Sequence, residues 1–347
     1  MTYAENLGET PRPGLRIGSI ALSGRAFLAP MAGVADAAMR RIAERHGASA
    51  AFSEMIYAQG VARGDRETAL RLAPAGAGPR VVQVAARDAA GVASAARYAA
   101  DHGAEWIDIN MGCPCKRVTG GLAGAALMRD LDHAARLIAA ALQAVALQAV
   151  EIPVSVKMRL GWDDSARNAP DLARRAESEG AALVTVHGRT RQQFYTGVAD
   201  WDAIRAVKEA VRIPVVANGD CASPEDAAEM LRRSGADAVM IGRAAVGRPW
   251  LVGDVAHYLA RGEKRAEPSL TARRDMALEH LAALTDAMGP VAGLRHARKH
   301  LAAYIDHAGL ASGAAALRRD LLTTAERGAA EHLIDRIFLA STSEEAA

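Results

Sequence analysis

Aromatic side chains are scarce: four Phe, four Trp and six Tyr make up 4% of the 347 residues. A core must therefore be built mainly from Ala, Val, Leu and Ile, and the chain offers few stacking platforms for bases. Cysteine is scarcer still, at three. So low and odd a number in a chain of this length argues against a disulfide framework and for a reducing, cytoplasmic setting. Excess charge of one sign is also lacking, because 42 basic against 40 acidic residues leave a formal net charge of +2. Any polyanion has to be met by a local patch. Long apolar runs are missing too. The most hydrophobic helical stretch, 134–150, is interrupted by Arg136, Gln143 and Gln148, and the first residues show no basic-then-apolar leader, so neither a membrane span nor a signal peptide is expected. Within that stretch, 141–145 is repeated as 146–150, a local duplication that lengthens one helix.

What the chain does have is a recurrence. Short apolar runs at 26–30, 49–53, 80–84, 106–110, 154–157, 183–187, 215–218 and 238–241 are separated by Ala-rich stretches of helical period. Strands alternating with helices imply parallel pairing, and this count favours a (β/α)8 TIM barrel over residues 14–252, with an open sheet as the competing arrangement. Polar and Gly-containing segments follow the strands, which in a barrel gathers them on one rim, where the chemistry of such folds is done. After Trp250 the strand pattern stops. A charged linker from Arg261 to Pro268 leads into a segment of helical periodicity only, expected to be a helical domain over 268–340, and the tail 341–347 is expected to lack structure.

Several rim residues carry chemistry, each with an ordinary alternative. Cys113 follows Asn110-Met111-Gly112 and precedes Pro114, a tight turn that presents a thiol; protonated at neutral pH, it can act as a proton donor. A small buried hydrophobe is its other reading. Asn218-Gly219-Asp220 and Gly242-Arg243, after the seventh and eighth strands, suit phosphate binding, although Gly and Asn also serve common turns. Lys157 ends an otherwise apolar strand and needs a partner or ligand there unless it snorkels to solvent. His187 ends the sixth strand, either facing the site or satisfied at the rim. Cys115 and Cys221 with Cys113 provide no fourth ligand, so no metal site is expected. Gly76-Ala77-Gly78 precedes a strand instead of following one, which excludes a Rossmann fingerprint. Arg298-Lys299-His300 can contact a nucleic-acid backbone or form a solvated helix face.

Asn110-Met111-Gly112-Cys113-Pro114 with Leu122-Ala123-Gly124 resembles the tRNA-dihydrouridine synthases, in particular their bacterial B-type branch. Ala29-Pro30-Met31-Ala32-Gly33, Val156-Lys157-Met158-Arg159, Val186-His187-Gly188-Arg189-Thr190, Asn218-Gly219-Asp220 and Ile241-Gly242-Arg243 support it in order and spacing. The resemblance implies an FMN-binding barrel, NADPH as reductant, a helical domain that holds tRNA, and no membrane, DNA or obligate protein partner. Carried over, Pro30, Met31, Ala32, Gln83, Lys157 and His187 would meet the flavin, and Asn218, Gly219, Asp220, Gly242 and Arg243 its phosphate side. Cys113 would protonate C5 of a uracil that receives hydride at C6. Asn110, Lys116, Arg117 and Arg189 at the mouth, and Arg298, Lys299 and His300 in the helical domain, would face the RNA.

Three positions depart from the family pattern: Thr119-Gly120-Gly121 in the catalytic loop, Cys115, and Ala302-Ala303 before Tyr304. Two rival functions are a flavin oxidoreductase of free pyrimidines, for which the helical domain would be superfluous, and a non-catalytic RNA-binding regulator.

Overall fold

The computed structural model describes residues 14–146, 148, 151–309 and 314–345. A hairpin of β1 (Arg16–Ile17) and β2 (Ile20–Ala21) leads into β3 (Ala26–Leu28), β4 (Ala50–Phe52), β5 (Ile56–Tyr57), β6 (Arg80–Ala85), β7 (Trp106–Met111), β8 (Val154–Arg159), β9 (Leu183–His187), β10 (Val215–Asn218) and β11 (Ala238–Ile241). The sheet runs β4-β3-β11-β10-β9-β8-β7-β6-β5, and β4 also pairs with β6. That last pairing closes the ring. All the pairs are parallel, so the strands read from the sequence form a (β/α)8 barrel and β5 only extends the edge of β6. The hairpin and β5 were not foreseen, being strands of two residues each.

The surrounding helices are α1 (Ala37–Arg45), α2 (Ala58–Arg63), α3 (Arg66–Leu72), α4 (Ala89–Asp101), α5 (Lys116–Thr119), α6 (Leu131–Val145), α7 (Ala169–Glu179), α8 (Trp201–Ala210), α9 (Pro224–Ser234) and α10 (Leu251–Arg261). Their starts are chemically marked. Asp36, Asp65, Asp88, Asp130 and Asp200 each accept a backbone N–H in the first turn of α1, α3, α4, α6 and α8, and Ser223 does so for α9 ahead of Pro224. The helix expected over 134–150 ends at Val145, and most of the repeated segment lies outside the described residues.

Inside the ring, side chains alternate along each strand and fall into two layers. The amino-terminal layer is apolar: Phe27, Phe52, Trp106, Val81, Leu183, Val216 and Ala238 pack with Ile17 of the hairpin, which closes the floor. Three of the few aromatics are used here, Phe52 and Trp106 edge-on with centroids 5.1 Å apart. The carboxyl-terminal layer is polar and holds Gln83, Asp108, Asn110, Ser155, Lys157, Arg159, Thr185, His187 and Asn218.

The barrel ends later than 252. Leu251, Val252 and Val255 of α10 belong to the barrel core, which carries the unit to Arg261. The helical domain then comprises α11 (Leu270–Met288), α12 (Pro290–His307), α13 (Ala314–Thr323) and α14 (Arg327–Glu345). Its core includes Leu281, Leu294, Leu301, Tyr304 and Ile334, and reaches the barrel through Ile42 and Trp250. Residues 341–345 continue α14, so the expected unstructured tail is helical over that part. Among the described residues, no helix is long and apolar enough to cross a membrane.

Candidate active site at the barrel mouth

Cys113 stands just beyond the end of β7, half-buried against a small apolar cluster containing Met55, Ala85, Val118 and Ala123. Its loop is pinned from several sides. The Asn110 side-chain oxygen accepts the backbone N–H groups of Gly112 (3.2 Å) and Cys113 (2.9 Å). Arg159 donates to the Gly112 carbonyl at 2.8 Å, and Ala125 N–H to the Cys113 carbonyl at 3.1 Å. Gly124 adopts φ +60°, and a Cβ there would lie 2.9 Å from the Cys113 carbonyl oxygen, so only glycine lets this turn pack beneath the thiol. Burial raises the Cys113 pKa above that of a free thiol, with the nearby Arg159 and Lys157 charges opposing. The group is therefore an acid at neutral pH. Exposed Lys116 and Arg117 follow it at the start of α5, as does exposed Cys115.

Lys157 projects from β8 into the polar layer and donates to the Asn218 side-chain oxygen at 2.9 Å. Burial, with Arg159 nearby, lowers its pKa to about 8. An ammonium has three donors, so this one retains capacity for a ligand. The buried Thr185 hydroxyl, in register with Lys157 on β9, has no hydrogen-bond partner. Asn218 is fixed by its own donation to the Met240 carbonyl at 2.8 Å. His187 is buried, and burial together with the Lys157, Arg159, Arg189 and Arg243 charges pushes its pKa well down, so the ring is neutral. Beside it, Gly219 has φ +119°, and a Cβ would come within 2.9 Å of the imidazole. At Gly242 a Cβ would meet Ala29 and the Met31 sulfur only at 3.8 Å. Pro30 and Met31 are half-buried and Ala32 is exposed, with Gly33 N–H held by the Glu54 carboxylate at 2.7 Å. Backbone approach at the glycine turns, a half-buried ammonium and a hydroxyl without a partner among the described residues together suit an anionic, polar-edged ring cofactor.

Two expectations change at the phosphate side. Arg189 is 1% exposed and clamps Asp220 through two bonds of 2.9 and 2.6 Å, so it is an internal brace and presents nothing to RNA. The Asp220 carboxylate, also bonded by Ala199 N–H and by Arg243 at 3.2 Å, is occupied within the protein. Asp220 sits at φ +57° and its carboxylate anchors Arg243, so the residue has only its backbone left to offer a ligand. Arg243 itself is exposed and lies 5.2 Å over the Tyr195 ring. Spacing along the sequence carries no information on which of two neighbouring charges buries the other.

The helical-domain triplet divides as well. Lys299 is exposed and reaches the first βα loop, since a Cβ at Gly33 would lie 3.0 Å from its ammonium. Arg298 is half-buried and donates to the Thr324 carbonyl at 3.0 Å. His300 is fully buried, and its expected RNA contact is overturned. It stacks on His280 with ring centroids 4.1 Å apart, and its Nε2 lies 3.2 Å from Asp36. His280 Nε2 also lies 3.2 Å from each Asp36 oxygen, while Asp36 caps α1 through Met39 N–H at 2.9 Å. Burial alone would raise the Asp36 pKa, but the two imidazoles hold it well below the usual carboxylate range. Burial and the His280 charge lower His300 to about 4. Donor atoms of Asp36, His296 and His300 lie within 4.8 Å of one another, and the carboxylate is engaged by His280 and Met39 N–H, while both His300 ring nitrogens and His296 Nε2 have no hydrogen-bond partner among the described residues; the group joins the two domains. Sequence reading also passed over Arg159, Glu54 and Asp108.

The chain matches the family model for dihydrouridine synthase over residues 27–342. It belongs to the dihydrouridine synthase family. A probable tRNA-dihydrouridine synthase of Rhizobium leguminosarum bv. phaseoli is 52% identical over 81% of this chain and 85% of its own length. The tRNA-dihydrouridine synthase B of Xanthomonas axonopodis pv. citri is 50% identical over 84% and 87%, in keeping with the B-type branch. Among solved structures, histamine dehydrogenase from a Rhizobium species covers 79% of this chain and 50% of its own, with a TM-score of 0.53 at 14% identity. Morphinone reductase covers 75% and 93%, with a TM-score of 0.51 at 14% identity. These two share the barrel architecture.

Proposed function

We propose that the chain reduces uridines in tRNA to 5,6-dihydrouridine at the barrel mouth, with FMN as cofactor and NADPH as reductant. The observation that carries this is Cys113, a thiol kept protonated by burial and held on a braced loop above a polar layer with a half-buried lysine, in a chain of this family. FMN bound at the mouth would supply hydride for C6 of the uracil and be re-reduced by NADPH. The protein's own groups do the rest. Lys157 would hold the polar edge of the ring, with Pro30, Met31, Ala32 and the neutral His187 around it; Gln83, expected beside it, is 1% exposed, with its amide nitrogen on Asp108 and its oxygen accepting from Asn110. Asn218 would orient Lys157, and the backbone at Gly219, Asp220 and Gly242, with the Arg243 guanidinium, would hold the phosphate. Cys113 gives its proton to C5 as negative charge develops there, a positioned general acid contributing about 10² to 10⁴ in rate.

A uridine in folded tRNA must leave its stack to reach this layer, which costs a few kcal/mol, offset by contacts in the pocket. Lys116 and Arg117 after the thiol loop and Lys299 on α12 would face the RNA, Arg298 being bonded to the Thr324 carbonyl; Asn110, expected there as well, is buried with its amide spent on Gln83 and the N–H groups of Gly112 and Cys113, so it shapes the loop and does not meet the RNA. Recognition through phosphates makes binding fall steeply with salt. The test is the dihydrouridine content of tRNA from cells lacking this chain, complemented with wild type or Cys113→Ala. Specific positions should lose dihydrouridine and regain it only with wild type. Unchanged content in the deleted cells would contradict the proposal.

A further inference from the structure

Beneath the catalytic loop lies a hydrogen-bond chain that begins far from the thiol. Trp106 Nε1–H donates to the Ser155 hydroxyl oxygen at 2.8 Å, and that hydroxyl donates to Asp108 Oδ1 at 2.6 Å. The Gln83 amide nitrogen donates to Asp108 Oδ2 at 2.7 Å. The Asn110 amide nitrogen donates to the Gln83 oxygen at 2.8 Å, and the Asn110 oxygen receives the N–H groups of Gly112 and Cys113. Asp108 is fully buried.

We propose that Asp108 is a positioning residue for the proton donor, setting the direction of this relay and so the placement of the Cys113 loop. The inference rests on the function proposed above and adds a residue to it. An ionised carboxylate only accepts. It therefore forces the Gln83 nitrogen toward itself and the Gln83 oxygen toward Asn110, which in turn forces the Asn110 oxygen toward the Cys113 backbone. Each amide has two nearly isosteric orientations, and the carboxylate at one end and the Gly112 and Cys113 N–H groups at the other both require the one seen, so a donor placed at residue 108 sets the two ends in conflict. At the other end, Trp106 already donates to Ser155, so the hydroxyl proton has residue 108 as its acceptor.

This gives an unusual order of severity. In Asp108→Asn one oxygen faces two donors, the Ser155 hydroxyl and the Gln83 amide nitrogen; turned to Ser155, toward which the hydroxyl proton is directed, it sets its NH2 against that of Gln83. Gln83 and then Asn110 reverse, and the Asn110 NH2 opposes the Cys113 N–H. Asp108→Leu removes the anchor but introduces no donor, so the Asn110 oxygen can still accept from the loop. The isosteric amide is thus the more damaging change, whereas a residue that merely fills the core would show the opposite order.

The experiment is single-turnover dihydrouridine formation by pre-reduced, FMN-loaded enzyme with unmodified tRNA. The chains are wild type, Asp108→Asn, Asp108→Leu, Cys113→Ala, and Cys113→Ala combined with Asp108→Asn. A misplacement of about 1 Å at a reacting group costs up to about 10²-fold, so Asp108→Asn should lose roughly 10- to 100-fold and Asp108→Leu less. In the Cys113→Ala background Asp108→Asn should cost less than about threefold, because it acts through the thiol loop. Leucine more harmful than asparagine, full activity in Asp108→Asn, or an undiminished loss in the Cys113→Ala background would each overturn the proposal while leaving Cys113 as the donor. Wild-type turnover in Cys113→Ala itself would instead remove the reading on which the proposal rests, and the proposal with it.

Discussion

The two layers of the barrel interior are built on the same strands yet obey different rules. Toward the floor, Phe27, Phe52 and Trp106 interlock with nothing polar but the Trp106 indole N–H, which is bonded to Ser155. At the next inward-facing positions along the strands, the interior becomes Gln83, Asp108 and Ser155, which are buried, and Lys157, which is half-buried, groups tolerable there because they are hydrogen-bonded. The lower layer holds the barrel closed; the upper layer trades stability for directed donors and an unneutralised charge, which is what a cofactor and a reacting base require.

Variants can break that division. Phe27→Ala removes a buried ring of the floor and should cost about 3–5 kcal/mol in denaturant unfolding, while turnover per folded molecule stays near wild type. A large loss of turnover with unchanged stability would erase the distinction. In the upper layer, Lys157→Met should lower FMN affinity by roughly 10- to 100-fold, the worth of a charge-assisted bond, as measured by flavin fluorescence titration. Its melting temperature should hold or rise, because a half-buried cation has been replaced by an apolar chain.

The clamp between domains gives a smaller, pH-dependent effect. His300 is lowered from 6.5 to about 4, so between those values the unfolded chain binds a proton that the folded chain does not. Stability therefore falls as pH drops through that window, by about 1.4 kcal/mol per pH unit per proton. Asp36, whose pKa is lowered, adds stability that is lost only as pH falls further, through its depressed value. His300→Gln should flatten the dependence of unfolding free energy on pH by about one proton between pH 4 and 6.5; an unchanged slope would remove His300 as its source. Smallest of all, Lys299→Ala should weaken tRNA binding a few-fold and reduce the salt slope by about 1, as expected for one phosphate contact, whereas Arg41→Ala on α1, half-buried and paired with Glu279 at 3.2 Å, should leave that slope unchanged.

Much of this layout was legible in the sequence. The strands stood out because each is an apolar run between Ala-rich helical stretches, and the rim residues because glycines and charges follow strand ends. Lys157 was found as a charge in an apolar strand. Asp108, between Ile107 and Ile109, carries the same signal and was passed over, because the motif beginning two residues later drew the reading to its thiol. Arg189 and His300 were misplaced for a different reason. A basic residue beside a motif looks available until the fold supplies its partner, and here Asp220 and Asp36 come from elements distant in the chain. The end of the barrel was set too early because α10 has the same helical period as the domain that follows, and only its packing on the barrel core tells them apart.

The most direct test of the central claim mixes pre-reduced, FMN-loaded enzyme with unmodified tRNA in the absence of oxygen, following flavin oxidation and dihydrouridine together. Wild type should form both in one phase, and Cys113→Ala, still reducible by NADPH, should form dihydrouridine about 10² to 10⁴ times more slowly. Equal rates in the two proteins would contradict the assignment of the thiol and the account built on it.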